Sequence, residues 1–437
     1  MSPVAIVGTA AIMPQAPDAA TFWANITGGR YCVTDVPPER WDPALFFSED
    51  HALPDHTYSR IGGWVREFPW DPVSWKLPIP PKVAQQMDQG QRWAISAARS
   101  ALTEAGWPNW NVDTDRVAVI LGNAIGGEKH YQTSMRIKLP EVLKKLAGVP
   151  SLVGLPADVQ RAIVEETREA YLADQIDITE DTMPGELSNV IAGRVANLFN
   201  LRGPNFTTDA ACASGLAALN AAVHGLIAHD YDAVVTGGID RNMGVDAFVK
   251  FCKIGALSAT GTRPFDAGAD GFVMGEGVGL VVLKRLEDAK RDGDRVYAVL
   301  RGSGCNNDGK GDGPMTPRPE GQKDAMWKAH HGVDFPVESI GYVETHGTAT
   351  TVGDVVEVGA LKQFFSERAH HALTDPYCYL GSIKANIGHT MSAAGVAGFM
   401  KACLMLHHRT IPPQPGVETV NPKLELTHSP FKLSAAA

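Results

Sequence analysis

The chain has 437 residues, 44% hydrophobic and 20% charged, with 39 Lys and Arg against 49 Asp and Glu. That length accommodates two or three domains, or one large duplicated unit, and its core needs no disulfide or metal to close it. The formal net charge of −10 excludes a general nucleic-acid binder, which must set a basic surface against phosphate.

In chain order, Val4–Gly8 reads as a buried strand entering a glycine turn. Residues 31–80 read as an irregular cap rather than a linker, because Trp41, Trp64, Trp70 and Trp75 among its prolines need burial. A helix is predicted over Gln91–Ala105 and a strand over Val117–Gly122. Residues 128–182 form a charged, helix-prone stretch, read as a second appended cap. A helix over Ser214–Ala228 and a strand over Asp232–Gly238 follow, then the glycine-rich loops Gly268–Gly277 and Gly302–Gly313. Further strands are predicted at Val296–Gly302, Ile340–Glu344 and Tyr377–Ser382, and a helix over Ala393–His407. Continuous apolar strands alternating with helices define an α/β protein with buried sheets.

Cys32, Cys212, Cys252, Cys305, Cys378 and Cys403 are widely spaced, with no C-x-x-C pair. This points to reduced thiols in a cytoplasmic protein rather than a zinc or disulfide framework. The N-terminal MSPVAIVGTAAIMPQ has no signal-peptide pattern. The apolar runs Ala210–Ala228 and Gly388–Leu406 contain Asn220, His224 and Lys401, so they read as buried helices and no membrane contact is expected. The adjacent pairs His330-His331, His370-His371 and His407-His408 read as surface residues, and no metal is expected.

Asn205-Phe-Thr-Thr-Asp-Ala-Ala-Cys-Ala-Ser-Gly-Leu216 places Cys212 between a β-prone run and an Ala-rich helix, as in a nucleophile elbow. A helix N-terminus there favours thiolate and offers N–H groups to an oxyanion. A lone cysteine also fits as a small buried hydrophobe, and Ser214 is a second hydroxyl candidate. Val343-Glu-Thr-His-Gly-Thr-Ala-Thr350 sets His346 at a strand end, and Gly381-Ser-Ile-Lys-Ala-Asn-Ile-Gly-His389 sets Lys384 and His389 after another. Ligands of α/β proteins bind at such ends.

With these motifs, with Arg263–Gly277 (RPFDAGADGFVMGEG) and with the GD of Gly353-Asp354, the sequence resembles the β-ketoacyl synthases of the thiolase-like superfamily. Pro54–Val65, Leu77–Asp88 and the 128–182 insert look more narrowly like iterative polyketide, polyunsaturated fatty-acid or enediyne-type synthases. The resemblance implies a thiolase-like five-layered αβαβα fold of two pseudo-duplicated halves. These are expected at 1–262, carrying the nucleophile and the two caps, and at 263–437, carrying the histidines.

The resemblance also implies decarboxylative Claisen condensation. Cys212 takes the acyl group, His346 and His389 stabilise the enolate of a malonyl thioester, and Lys384 orders the site electrostatically. Thr348 and Thr350 match positions that bind a pantetheine arm, with ordinary loop hydroxyls as the other reading. Phe272 matches an aromatic gate, with a core phenylalanine as the other. No bound cofactor is implied; the phosphopantetheine arm arrives on an acyl carrier protein, and a homodimer is expected. The family's S-F-G-x-x-G-T-N segment is not found after Ile411–Pro415. The last strands and a second oxyanion donor are therefore expected to be missing, and Ala435–Ala437 reads as an unnatural end. A non-elongating dimerisation or chain-length partner is the alternative function.

Overall fold

The computed structural model describes residues 2–311, 313 and 316–434; Ala435–Ala437 lie outside them. The strands in chain order are β1 (Val4–Ile12), β2 (Thr34–Asp35), β3 (Ile61–Gly62), β4 (Val117–Gly122), β5 (Asn205–Thr208), β6 (Ala233–Asp240), β7 (Gly277–Arg285), β8 (Ala298–Leu300), β9 (Tyr342–Glu344), β10 (Cys378–Gly381) and β11 (Phe431–Leu433). The main sheet has the order β5-β4-β6-β7-β1-β8, and a second sheet runs β11-β10-β9. The pairs β5–β4–β6 and β11–β10–β9 are parallel, whereas β7 is antiparallel to both its neighbours.

Both faces of the main sheet are covered, which is why its strands read as unbroken apolar runs. Alternate side chains of β4 show this directly. Val117, Val119 and Leu121 pack on one face with Trp93, Ala97 and Val195, from the helices Gln89–Glu104 and Ser188–Leu198. Ala118 and Ile120 pack on the other with Leu219, Val223, Val396 and Met400, from the helices Ser214–Ile227 and Ala394–His408. The latter helix also touches β9, so this central pair lies between the two sheets. On the far side of β10 and β11, the helix Gly353–Arg368 buries Val358, Leu361, Phe364 and Phe365. These are the five layers of the thiolase-like fold.

Two details differ from expectation. β7, which a division at 262/263 assigns to the second half, lies in the interior of the first sheet. His330 is not at the surface: it is 9% exposed and packs edge-on against Phe335 and Phe364. Its neighbour on the sequence, His331, is exposed. Residues 31–80 are largely irregular, with Trp41 and Trp64 buried, and the 128–182 segment contains the helices Lys129–Ala147 and Ala157–Leu172. Among the described residues no helix is long and apolar enough to cross a membrane.

Where β6 meets the central helices the backbones nearly touch. A Cβ on Gly238 would lie 2.4 Å from the Ser392 carbonyl oxygen and 3.0 Å from the Gly215 Cα. Backbone atoms cannot swing aside, so Gly238→Ala is expected to destabilise the fold by about 1–3 kcal/mol, the usual cost of overpacking. Urea unfolding beside the wild type checks this, and an unchanged midpoint would contradict it.

Candidate active site

After β5 the chain makes a single 3-10 turn, Ala211–Ala213, before the helix Ser214–Ile227. Ala211 has φ +50°, a costly conformation for a residue with a side chain, and it makes the turn sharp. Ser214 is fully buried. Its Oγ donates to the Ala211 carbonyl at 2.6 Å and accepts the Ala210 N–H at 2.9 Å, so it braces the elbow and is not placed to attack a substrate. Cys212, at the apex, is half-buried and lines a cavity of about 300 Å3 together with Ala247, Phe251, Ile254, Met391 and Tyr131.

The sequence favours thiolate here, but burial outweighs the helix terminus and pushes the Cys212 thiol above its ordinary value. Lys384 opposes that rise, and Asp240 adds to it. Cys212 therefore rests as a thiol, with the charge of Lys384 acting on it.

His346 follows β9, and its loop is held by two carboxylates. Glu357 accepts the backbone N–H of His346 at 2.6 Å and of Gly347 at 2.9 Å. Asp354, of the GD pair, accepts from Ala349 at 3.0 Å and from Phe265 at 2.8 Å. Ala349 itself has φ +60°, so what this position asks of its residue is conformational rather than a matter of bulk. Past β10, Lys384 opens a one-turn helix ending at Ile387. Gly388 then takes φ +75° where a Cβ would lie 2.9 Å from the Val273 carbonyl oxygen. His389 is clamped by the glycine-rich segment: its N–H donates to Val273 at 2.7 Å, and its carbonyl accepts from Gly275 at 2.9 Å.

The two imidazole rings stand 5.2 Å apart, nearly perpendicular. Nδ1 of His389 accepts the Met391 N–H at 3.1 Å, which leaves the ring proton on Nε2. His346 is exposed to solvent although protein surrounds its ring closely. The charge of Lys384, and then burial, hold it down to about 3. Burial first, then Lys384 and His346, hold His389 far below the usual imidazole value. Both rings are therefore neutral N–H donors across the physiological range.

Lys384 is 2% exposed. Burial lowers its pKa, while Glu344, Glu357, Cys212 and Asp354 act to raise it. Glu344 accepts the Ile383 N–H at 2.5 Å and pairs with Lys401 at 2.9 Å, which accounts for a lysine within the apolar run after Gly388. Electrostatics thus couples Cys212, His346, His389 and Lys384 to one another.

Thr348 and Thr350 share a hydroxyl contact of 3.2 Å on the adjoining loop, and Thr350 Oγ1 accepts the Gly353 N–H. Phe272 is 8% exposed and packs edge-on against His389 at 5.1 Å and against Phe251 of the cavity wall at 5.6 Å. Glu344, Glu357 and Asp240 were not singled out from sequence. Glu357 lies one helical turn after Asp354, and Asp240 is the one charge in the strand it ends; these were the available signals.

The family model "Beta-ketoacyl synthase, N-terminal domain" matches residues 1–289, and "Beta-ketoacyl synthase, C-terminal domain" matches 297–418. The chain belongs to the β-ketoacyl synthase family of condensing enzymes. It is 34% identical over 98% of its length to a phenolphthiocerol/phthiocerol polyketide synthase polypeptide of Mycobacterium tuberculosis, spanning 25% of that protein. It is 32% identical over 94% of its length to a polyunsaturated fatty acid synthase polypeptide of Thraustochytrium sp., spanning 14% of it. Among solved structures it resembles the oxazolomycin ketosynthase domain of Streptomyces albus JA3453, with TM-score 0.82 and 31% identity, covering 100% of this chain and 68% of that one. It also resembles the ketosynthase from module 6 of the bacillaene synthase of Bacillus subtilis 168, with TM-score 0.79 and 30% identity, covering 99% and 66%.

Because the Lys384 charge draws down the pKa of both the Cys212 thiol and His346, its removal has a definite sign. Lys384→Met is expected to raise the thiol pKa, shift the pH profile of Cys212 alkylation by iodoacetamide upward and slow alkylation at neutral pH. A profile that stays put or moves down contradicts the electrostatic role.

Proposed function

We propose that the chain is the ketosynthase domain of a polyketide or polyunsaturated fatty-acid synthase, acting as a 3-oxoacyl-[acyl-carrier-protein] synthase. The observation that carries this reading is the pair of imidazoles 5.2 Å apart, with the charge of Lys384 acting on both rings and on the elbow cysteine.

Cys212 Sγ attacks the carbonyl of an acyl thioester, its proton leaves with the displaced pantetheine thiol, and the acyl group rests on the enzyme. A malonyl thioester then enters on the phosphopantetheine arm of an acyl carrier protein, beside Thr348 and Thr350. It loses carbon dioxide, and N–H groups of His346 and His389 donate to the enolate oxygen that develops. The enolate carbon attacks the acyl carbonyl, Cys212 leaves as thiolate and is reprotonated, and a 3-oxoacyl thioester departs. Phe272 separates the His389 side of the cleft from the acyl cavity as a gate.

The working unit is proposed to be a homodimer in the cytoplasm. In support, β5 is an edge strand exposing Phe206, with Leu216 exposed on the adjoining helix. No specific observation favours the alternative of a non-elongating partner, and the charge of Lys384 acting on Cys212 and on both histidines supports the condensing reading.

Intact-protein mass spectrometry after incubation with acyl thioesters tests the first step. A mass increment is expected on the wild type and none on Cys212→Ala. His346→Ala and His389→Ala are each expected to retain the increment while malonyl decarboxylation falls ~100- to 1,000-fold, the usual cost of one such donor. An increment that survives in Cys212→Ala would remove the nucleophile.

A further inference from the structure

Asp240 closes β6 and is 1% exposed. Its Oδ1 accepts from the Asn242 backbone N–H at 3.0 Å and from Asn242 Nδ2 at 3.3 Å. Its Oδ2 accepts from Ser392 Oγ at 2.9 Å and from the Ser392 backbone N–H at 3.3 Å. Ser392 Oγ also accepts the Ala124 N–H at 2.9 Å, so its own proton is committed to Asp240. One carboxylate therefore ties three segments together: the end of β6, the loop after β4 and the turn after His389.

That turn needs an anchor. Met391 has φ +42°, a strained conformation that persists only where its surroundings enforce it. The Met391 N–H is also the donor that holds His389 Nδ1. The turn abuts the Cys212 turn, and its Ser392 carbonyl is pressed against Gly238 and Gly215.

We infer that Asp240 is a positioning residue for His389: by holding Ser392 it fixes the Met391 N–H against Nδ1 and keeps the ring proton on Nε2, facing the reaction. This rests on the reading of His389 as a donor to the enolate. Asp240 also lines the cavity that Cys212 lines, and its charge there opposes that of Lys384 on the thiol. An apolar residue at 240 would leave the Asn242 N–H and both Ser392 donors without an acceptor, while Asn242 Nδ2 keeps the Ala124 carbonyl at 3.2 Å. An asparagine would turn an N–H pair toward two of them.

The test separates the two half-reactions in the full chain. Asp240→Asn is expected to load Cys212 with acyl groups, while kcat for malonyl-thioester decarboxylation falls ~10- to 100-fold with little change in KM, as for a donor misplaced by about an ångström. Ser392→Ala, which removes one of the two anchoring bonds, should show a smaller loss of the same kind, and Ser392→Thr should restore it. The serine pair decides the matter if Asp240→Asn does not fold. Decarboxylation per folded molecule within twofold of wild type in Asp240→Asn, or in Ser392→Ala where the former does not fold, overturns the inference. So does a loss of acyl loading that parallels the loss of decarboxylation. A wild-type protein showing neither half-reaction sinks the functional reading itself.

Discussion

Lys384 carries its ammonium where an unpaired charge is expensive, and much of the cleft is arranged around that cost. Glu344, Glu357 and Asp354 offset it, and the same carboxylates use their remaining acceptor capacity on the backbone N–H groups of Ile383, His346, Gly347 and Ala349. The charge is useful because it is compensated but not cancelled. It still acts on His346 and His389, whose protonation it opposes, and on Cys212, whose ionisation it assists. Burial and this one cation together keep the two rings neutral, and the same cation opposes the rise that burial imposes on the Cys212 thiol.

Geometry is secured by backbone rather than by side-chain packing alone. Ala211 and Met391, which line the same cavity as Cys212, both have left-handed backbone conformations. Neighbouring hydrogen bonds from Ser214 and Ser392 hold those turns. His389 is bound through its own N–H, carbonyl and Nδ1 at once. A site held this way needs little reorganisation when charge develops, which is where electrostatic catalysis gains most.

Much of this was legible in the sequence, for physical reasons that can be named. Val117–Gly122 reads as a strand because both its faces are buried, and the structure returns the same limits. Cys212, His346, Lys384 and His389 stand in short motifs at strand ends, so their convergence follows once the sheets form. What was hidden depends on contacts between distant segments. The sequence shows a helix terminus beside Cys212 but not the desolvation that outweighs it. It shows a His-His pair at 330–331 but not that Phe335 and Phe364 enclose the first. Likewise β7 pairs on one side with β1, at the far N-terminal end of the chain, and on the other with β6, so no local pattern assigns it to the first sheet.

The central claim is that burial and a buried lysine together keep both histidines neutral, with the His389 proton on Nε2. Nitrogen-15 NMR of the histidine rings across a pH titration, with signals assigned through single substitutions, measures this directly. The account predicts that neither His346 nor His389 takes up a proton as pH falls through 6.5, and that His389 Nδ1 shows the shift of an unprotonated acceptor. A ring that titrates near 6.5, or a proton found on His389 Nδ1, would contradict it.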